Sequence, residues 1–344
     1  MMKTPKFSSR YQYQEKYFEG GQGTIYLCQD TYLDRLVAIK YLKGEPDHLQ
    51  KEATALSKVC SKHVVEVYDF ITEGSETAIV EEYISGDDLT KFHEQQLTSD
   101  EYLKTLYQIA SGIADIHVAG YIHRDIKPAN IKLSDEGIIK ILDFGLSSHS
   151  HNARTTNLRG TMPYIAPELL QNYPPVRYTK KVDTFAFGIT AWVLAKGSPS
   201  DDIISPFETL PFRLHAEVIY LLKKACSHDL SERPNMCRVR DTLARQLLHN
   251  QHIALLTYEG ETYHIFSENP SANIGNDSLG RISIEYDGFY FKVSGVSGDV
   301  YLNNREVKNN ERIPDSCVIT LGHPIHKWNR IFITFDVSHP EVVL

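Results

Sequence analysis

The segment His123-Arg124-Asp125-Ile126-Lys127-Pro128-Ala129-Asn130, with Asp143-Phe144-Gly145 shortly after it, places a carboxylate, an ammonium group and two further oxygen donors in one short stretch of chain. Asp125 can accept a hydrogen bond from an attacking hydroxyl and set its direction, while Asn130 and Asp143 offer the hard oxygens that a magnesium ion takes. Lys127 supplies a positive charge for a phosphate. Phosphoryl transfer asks little covalent help of a protein: the work is to align the hydroxyl and to neutralise phosphate charge. Residue type, order and spacing must all agree for such a set to form, so a chance occurrence is rare.

Such groups act only when rigid elements hold them. Val37-Ala38-Ile39-Lys40 is a short apolar run, and a strand there sends Ala38 and Lys40 to one face. The stretch from His48 to Leu56 has helical character and carries Glu52, a candidate partner for the Lys40 ammonium. Upstream, Gly20-Gly21-Gln22-Gly23 reads as a tight hairpin whose missing side chains let backbone N–H groups approach anionic oxygens.

In this order the segments resemble the eukaryotic-type Ser/Thr protein kinase family, from about Tyr11 to Asn250. The resemblance implies an α+β, bilobal protein kinase fold over residues 11–250, with ATP and Mg2+ as cofactors and protein Ser/Thr hydroxyls as acceptors. It makes Asp125 and Lys127 the catalytic pair, sets Lys40, braced by Glu52, on the α- and β-phosphates, and gives the metal to Asn130 and Asp143. Gly20 or Gly21, together with Gly23, would form the loop over the phosphates. Ile25, Ala38 and the hinge residues Glu82 and Tyr83 would complete the ATP site. Two positions depart from the family pattern. Phe18 stands where the first loop glycine is expected, and Glu81 where an apolar or small residue guards the adenine pocket. A carboxylate there costs desolvation unless it is partnered or turned outward, and a one-residue shift of the strand would move it to the other face. These departures are the support for an alternative, a nucleotide-binding pseudokinase scaffold with weak or no catalysis.

The segment from Arg159 to Glu168 resembles the substrate-docking loop of protein kinases, which small-molecule phosphotransferases of related fold lack. On that resemblance Thr161 hydrogen-bonds near Asp125 and Lys127, Glu168 pairs with Arg233 to brace the helical lobe, and Asp183 braces the catalytic loop. Ser147, Ser148, Ser150, Thr155 and Thr156 lie in a polar stretch that resembles an activation loop. A phosphate on Thr155 or Thr156 would find the Arg124 guanidinium and order the loop; an unmodified linker is the other reading.

The chain has 344 residues, long for one domain, and its 42% hydrophobic content suffices for ordinary cores. A net charge of −8 argues against nucleic acid as the main partner. No run approaches the ~20 apolar residues of a membrane span, so no membrane partner is expected. Five scattered cysteines, an odd number without paired spacing, suit reduced thiols in a cytoplasmic protein.

Beyond residue 250 the periodicity changes. Short alternating or aromatic runs such as Thr262-Tyr263-His264-Ile265-Phe266, Arg281 to Tyr286, Phe289 to Val293 and Ile331 to Phe335 are separated by Gly, Asn, Asp and Pro, the pattern of a small all-β sandwich over residues 251–344. The spacing of Ile274-Gly275-Asn276, Val300 to Val307 and Cys317 to Gly322 resembles a forkhead-associated (FHA) domain, a reader of phosphothreonine. Asn276 stands where that family has its arginine, and Gly298-Asp299 where it has asparagine-glycine. The expectation is therefore a degenerate FHA-like module that binds a protein partner without phosphate, a structural cap being the other reading.

Overall fold

The structure is a computed structural model that describes residues 9–20, 23–42, 54–73, 76–144, 148–149, 154–155, 161–171, 176–199, 207–338 and 340–343. By internal contacts the chain divides into one unit running through Leu243 and a second from Ala244 to Val343. Each is described by itself.

The first unit opens with an antiparallel sheet of β1 (Tyr11–Gly20), β2 (Gly23–Asp30), β3 (Arg35–Leu42), β4 (Val67–Glu73) and β5 (Glu76–Glu82), in the order β1-β2-β3-β5-β4. Strand alternation sorts its residues. Cys28, Val37, Ile39, Ala78 and Val80 pack together on one face, with the rings of Tyr13, Tyr26 and Tyr41 edge to face along them at 5.6 and 5.7 Å. Residues in the opposite phase share the other face: Ile25 pairs with Lys40, Lys40 with Ile79, and Ala38 with Glu81.

The helical part begins with α1 (Ser99–Val118), whose Thr98 and Glu101 form a reciprocal capping box. After β6 (Tyr121–Ile122) come a short 3-10 turn at Pro128–Asn130 and the hairpin of β7 (Ile131–Leu133) and β8 (Ile139–Ile141). The short strands β9 (Ser148–His149) and β10 (Arg154–Thr155) follow; β9 pairs with β6, and β10 with β11 (Val176–Arg177), which comes after the short helix α2 (Pro167–Gln171). Next is α3 (Lys181–Lys196), apolar on every side, as its sequence Phe-Ala-Phe-Gly-Ile-Thr-Ala-Trp requires, and buried from Val182 to Leu194. It stops at Gly197, whose φ of 80° is the left-handed cap that glycine accepts. Tyr102 of α1 donates its hydroxyl to the Ala191 carbonyl at 2.6 Å, and α4 (Ala216–Ala225) approaches Gly188 so closely that a Cβ there would sit 2.5 Å from the Cys226 sulfur. α5 (Met236–Leu247) follows, with the division between the two units falling inside it.

Beyond the end of α5 the second unit is built of strands, with one 3-10 turn at Pro324–Asn329. β12 (Ala254–Tyr258), β13 (Glu261–Ile265), β14 (Ser271–Asn276), β15 (Gly280–Tyr286), β16 (Phe291–Gly298), β17 (Val300–Leu302), β18 (Arg305–Glu306), β19 (Ser316–Leu321) and β20 (Ile331–Val337) form two antiparallel sheets, β13-β12-β20-β19-β17-β18 and β14-β15-β16. Both give side chains to one core, including Leu256, Ile282, Val293, Ile319, Ile333 and Phe335. The two-residue turn Asn303-Asn304, with φ of 46° and 66°, has the handedness that a tight hairpin between β17 and β18 demands. Among the described residues no helix is long and apolar enough to cross a membrane.

One buried histidine ties the sheet to the helical part of the first unit. His63, ahead of β4, has its Nδ1 3.3 Å from the Ile139 carbonyl, and its own carbonyl accepts from Ile141 N at 2.9 Å. Its Nε2 is buried without a hydrogen-bond partner among the described residues. Burial pushes the ring pKa down to about 4. The folded protein thus resists a proton that the unfolded chain takes up near pH 6.5, so this contribution is complete above pH 6.5 and is lost as the pH falls toward 4. The shift corresponds to about 3 kcal/mol in full. Thermal midpoints measured from pH 7 to 4.5 are expected to fall less steeply in His63→Gln than in the wild type; equal slopes would contradict the assignment.

Candidate functional site

The chemistry-bearing loop is fixed from below by Asp183, fully buried near the start of α3. Its Oδ1 accepts the backbone N–H of Arg124, and its Oδ2 accepts both the N–H of His123 and Nε2 of His117, all at 2.8 Å. Burial alone would raise this carboxyl, but the hydrogen bonds and the nearby imidazoles hold it below the ordinary aspartate value. Arg124 takes a left-handed φ of 70°, which this grip holds in place. His123 is fixed on its other side: its Nε2 lies 2.9 Å from the Leu142 carbonyl, and its ring meets Phe144 edge on at 4.9 Å.

The turn that begins at Arg124 delivers Asp125 and Lys127 to a common point. Lys127 Nζ donates to Asp125 Oδ2 at 2.7 Å and to Thr161 Oγ1 at 2.6 Å, and Thr161 in turn donates to Asp125 Oδ1 at 2.9 Å. Asn130 donates its Nδ2 to both the backbone and side-chain oxygens of Asp125, at 2.9 and 2.8 Å. That commits the nitrogen and leaves Oδ1 as the atom suited to a hard cation. Across the cleft, Lys40 Nζ lies 3.0 Å from Asp143 Oδ1, a contact between residues 103 apart in sequence.

These groups line one cavity of about 770 Å³ between the sheet and the helical part. Ile25 and Ala38 stand on its sheet side; Ala129 and Leu142 stand on the other. Tyr83 and Glu82 close the end, Glu82 being held by Lys140 at 2.7 Å. Phe18 and Glu81 line the same space, Glu81 with only 8% of its surface exposed. Gly20 and Gly23 pair with each other at the turn of the β1–β2 hairpin.

Away from the cleft, Arg233 is enclosed and forked onto Glu168, with Nη1 to Oε1 at 2.9 Å and Nη2 to Oε2 at 2.7 Å. Its Nε also donates to the Ser227 carbonyl at 2.6 Å, and its guanidinium lies 5.0 Å from the centre of the Phe185 ring. Of the sequence-derived candidates, Gly21, Glu52 and Thr156 lie outside the described residues, and Thr155 is placed by its backbone alone, opposite Val176. Sequence reasoning passed over His117, whose only signal is an imidazole on the buried face of α1 just before the loop. It also passed over Val65, Leu142 and Ala129, apolar or small residues that acquire a role only once the cavity exists.

The magnesium ion implied by this chemistry would find two oxygen donors, Asn130 Oδ1 and the Asp143 carboxylate, both on the cavity wall. That small set suits a metal that completes its shell with water and phosphate. No cluster of three or more His, Cys, Asp or Glu side chains able to hold a metal occurs among the described residues.

A sheet and a helical part that close a cleft over an Asp-Lys-Thr cluster, with a second Lys-Asp pair opposite, define a phosphotransferase class of fold. The family model described as "Protein kinase domain" matches residues 11–251, and the chain belongs to the protein kinase family. It is 32% identical over 211 residues to a protein of Clostridium acetobutylicum whose name reads "Probable serine/threonine-protein kinase", a match covering 58% of this chain and 32% of that one. It is 33% identical over 204 residues to the serine/threonine-protein kinase PrkC of Bacillus subtilis, covering 56% and 31% of the two chains. A serine/threonine-protein kinase of Corynebacterium efficiens is 33% identical over 196 residues, covering 52% and 37%. The matches span about a third of the length of these relatives.

Removing the Asp183 carboxylate strands three buried donors at once. Asp183→Ala is expected to cost about 3 kcal/mol or more, and Arg233→Lys, which keeps the charge and loses the fork, about 1–2 kcal/mol. Urea unfolding followed by circular dichroism at the helical band, which the helices of the first unit dominate, measures both. A cost under 1 kcal/mol for Asp183→Ala would contradict its bracing role.

Proposed function

We propose that the chain is an ATP- and magnesium-dependent protein kinase that phosphorylates Ser and Thr hydroxyls of proteins and autophosphorylates. The observation that carries this reading is the Asp125–Lys127–Thr161 cluster, closed at 2.6–2.9 Å on the same cavity wall as Asn130 and Asp143. In the proposed reaction Asp125 accepts a hydrogen bond from the acceptor hydroxyl and aims its oxygen at the γ-phosphorus. The bond from that phosphorus to the bridging oxygen of ADP breaks as the bond to the acceptor oxygen forms, and the hydroxyl proton passes toward Asp125. Lys127 balances charge on the group in transfer, and Lys40 holds the α- and β-phosphates. Magnesium, when bound by Asn130 and Asp143, supplies neutralisation of phosphate charge. Thr161 sits where it fixes the Asp125–Lys127 geometry, and protein acceptors fit the docking segment that ends at Glu168.

A nucleotide-binding scaffold is the second reading, favoured by Phe18 and Glu81 on the cavity wall. Against it stand Lys40, Glu52, Asp125, Asn130 and Asp143 of the sequence; of these Lys40, Asp125, Asn130 and Asp143, with Lys127, line that cavity. Regulation is proposed through phosphate on Thr155 or Thr156. Arg124, whose guanidinium lies 4.8 Å from the Tyr178 ring centre, is the cation that would receive it.

The second unit is proposed as an FHA-like module that docks a protein partner independently of phosphate. Asn276, which stands where the FHA family has its arginine, and the nearby Arg281 have local duties that support this. Asn276 Oδ1 accepts from the N–H groups of Ser278 and Leu279, and Arg281 pairs with Asp277 at 3.1 Å. The five free cysteines agree with a cytoplasmic setting.

The test is phosphate incorporation from labelled ATP with magnesium, using wild type, Asp143→Asn and Asp125→Asn, with sites mapped by mass spectrometry. Wild-type labelling of Ser or Thr that falls by about a thousandfold in either variant is expected. Tight ATP binding without transfer to itself or to generic protein acceptors would establish the scaffold reading instead.

A further inference from the structure

We infer that Lys132 and Lys140 form a two-lysine clamp on the segment 82–88, which leads from β5 into the helical part, and that this clamp positions the segment for nucleotide binding. The inference rests on the proposed ATP site and adds to it a pair of positioning residues that act through this segment. The two lysines are direct cross-strand partners in the β7–β8 hairpin, so their side chains leave the same face. Like charges directly opposite each other are unfavourable in a sheet. Here each finds acceptors on the segment. Lys132 Nζ donates to the carbonyl oxygens of Ile84 and Gly86, at 3.1 and 3.0 Å, and Lys140 Nζ lies 2.7 Å from Glu82 Oε2.

Backbone contacts continue the seam. Leu133 N–H donates to the Asp87 carbonyl at 3.1 Å, and Asp88 bridges with Lys132. Gly86 comes so near that a Cβ on it would fall 2.1 Å from the Leu133 carbonyl oxygen. Burial lowers the Lys132 pKa while Asp87 and Asp88 pull it the other way, so the ammonium relies on the two carbonyls in place of water. The same hairpin carries the candidate metal pair: Asn130 directly precedes β7, and Asp143 follows β8 after one residue. Glu82, Ile84, Gly86 and Asp87 line the cavity, as do Asn130 and Asp143. Clamping the segment to the hairpin therefore fixes two walls of one site relative to each other. A ligand that must engage both binds more tightly when their spacing is set before it arrives, because the free protein has already borne the ordering.

Hydrogen exchange of the full chain without nucleotide reads the clamp directly. Amides of residues 83–88 are expected to exchange about 10-fold faster in Lys132→Met and in Lys140→Met than in the wild type, with those of α1 unchanged. Methionine keeps most of each apolar stem, and if one variant fails to fold the other reads the same clamp. Calorimetric titration with magnesium and the non-hydrolysable analogue AMP-PNP gives the consequence. Each variant is expected to bind about 10-fold more weakly, and the double variant about 10- to 30-fold rather than the ~100-fold of independent sites, since releasing either lysine frees the same segment. In phosphate transfer the loss is expected to fall on KM for ATP rather than on kcat. Unchanged exchange at 83–88 in the folded variants, unchanged affinity, full additivity in the double variant, or a loss confined to kcat would each overturn the inference. Wild-type protein that binds no AMP-PNP would overturn the ATP-site reading and with it the clamp's part in nucleotide binding, whereas tight binding by wild type and variants alike would overturn the inference alone.

Discussion

A buried carboxylate with three donors organises the first unit. Asp183 is carried by a helix that is apolar on all sides, so its charge has nowhere to go except into the N–H groups of His123 and Arg124 and the ring of His117. Each donor belongs to a different duty: His117 ends α1, His123 anchors the strand before Asp143 through Leu142, and Arg124 opens the turn that presents Asp125. One anion thereby coordinates a long helix, a strand and the loop between them. The left-handed backbone at Arg124 would be strained in isolation and is held because the successive N–H groups of His123 and Arg124 are both tied to the same carboxylate.

Above this base the cleft is organised by charge pairing across great sequence distance. Lys40 comes from the sheet and Asp143 from beyond the β7–β8 hairpin, and their contact bridges the two parts of the unit. Asp143 also takes a positive φ of 62°, so both acidic residues of the centre follow or occupy left-handed backbone. Such conformations survive where packing determines them on all sides, as the edge-on contact of His123 with Phe144 does here.

Much of this was legible in the sequence, for a physical reason. The groups around Asp125 are close in the chain, so their spacing alone nearly fixes their geometry, and the hairpin glycines and the apolar run before Lys40 are local signals of the same kind. The long-range partnerships were not readable from local pattern alone. That Lys40 meets Asp143 depends on how the sheet sits over the hairpin, and which way Glu81 faces depends on the register of β5 against β3, which a shift of one residue would reverse. His117 escaped notice because a histidine on an apolar helix face has no distinguishing pattern until its acceptor is in place. In the second unit the aromatic and alternating runs marked most strands, but β18, only two residues long, is defined by the Asn303-Asn304 turn and not by its own composition.

The two tryptophans are divided between the units, Trp192 at 7% exposure inside α3 and Trp328 at 94% exposure in the turn before β20. Their emission should differ in colour and in access to a collisional quencher, since one indole sees an apolar interior and the other sees water. The protein thus carries its own pair of optical labels, one per unit. Acrylamide will silence the second while sparing the first, and the order in which the two units melt can be followed without attaching a dye.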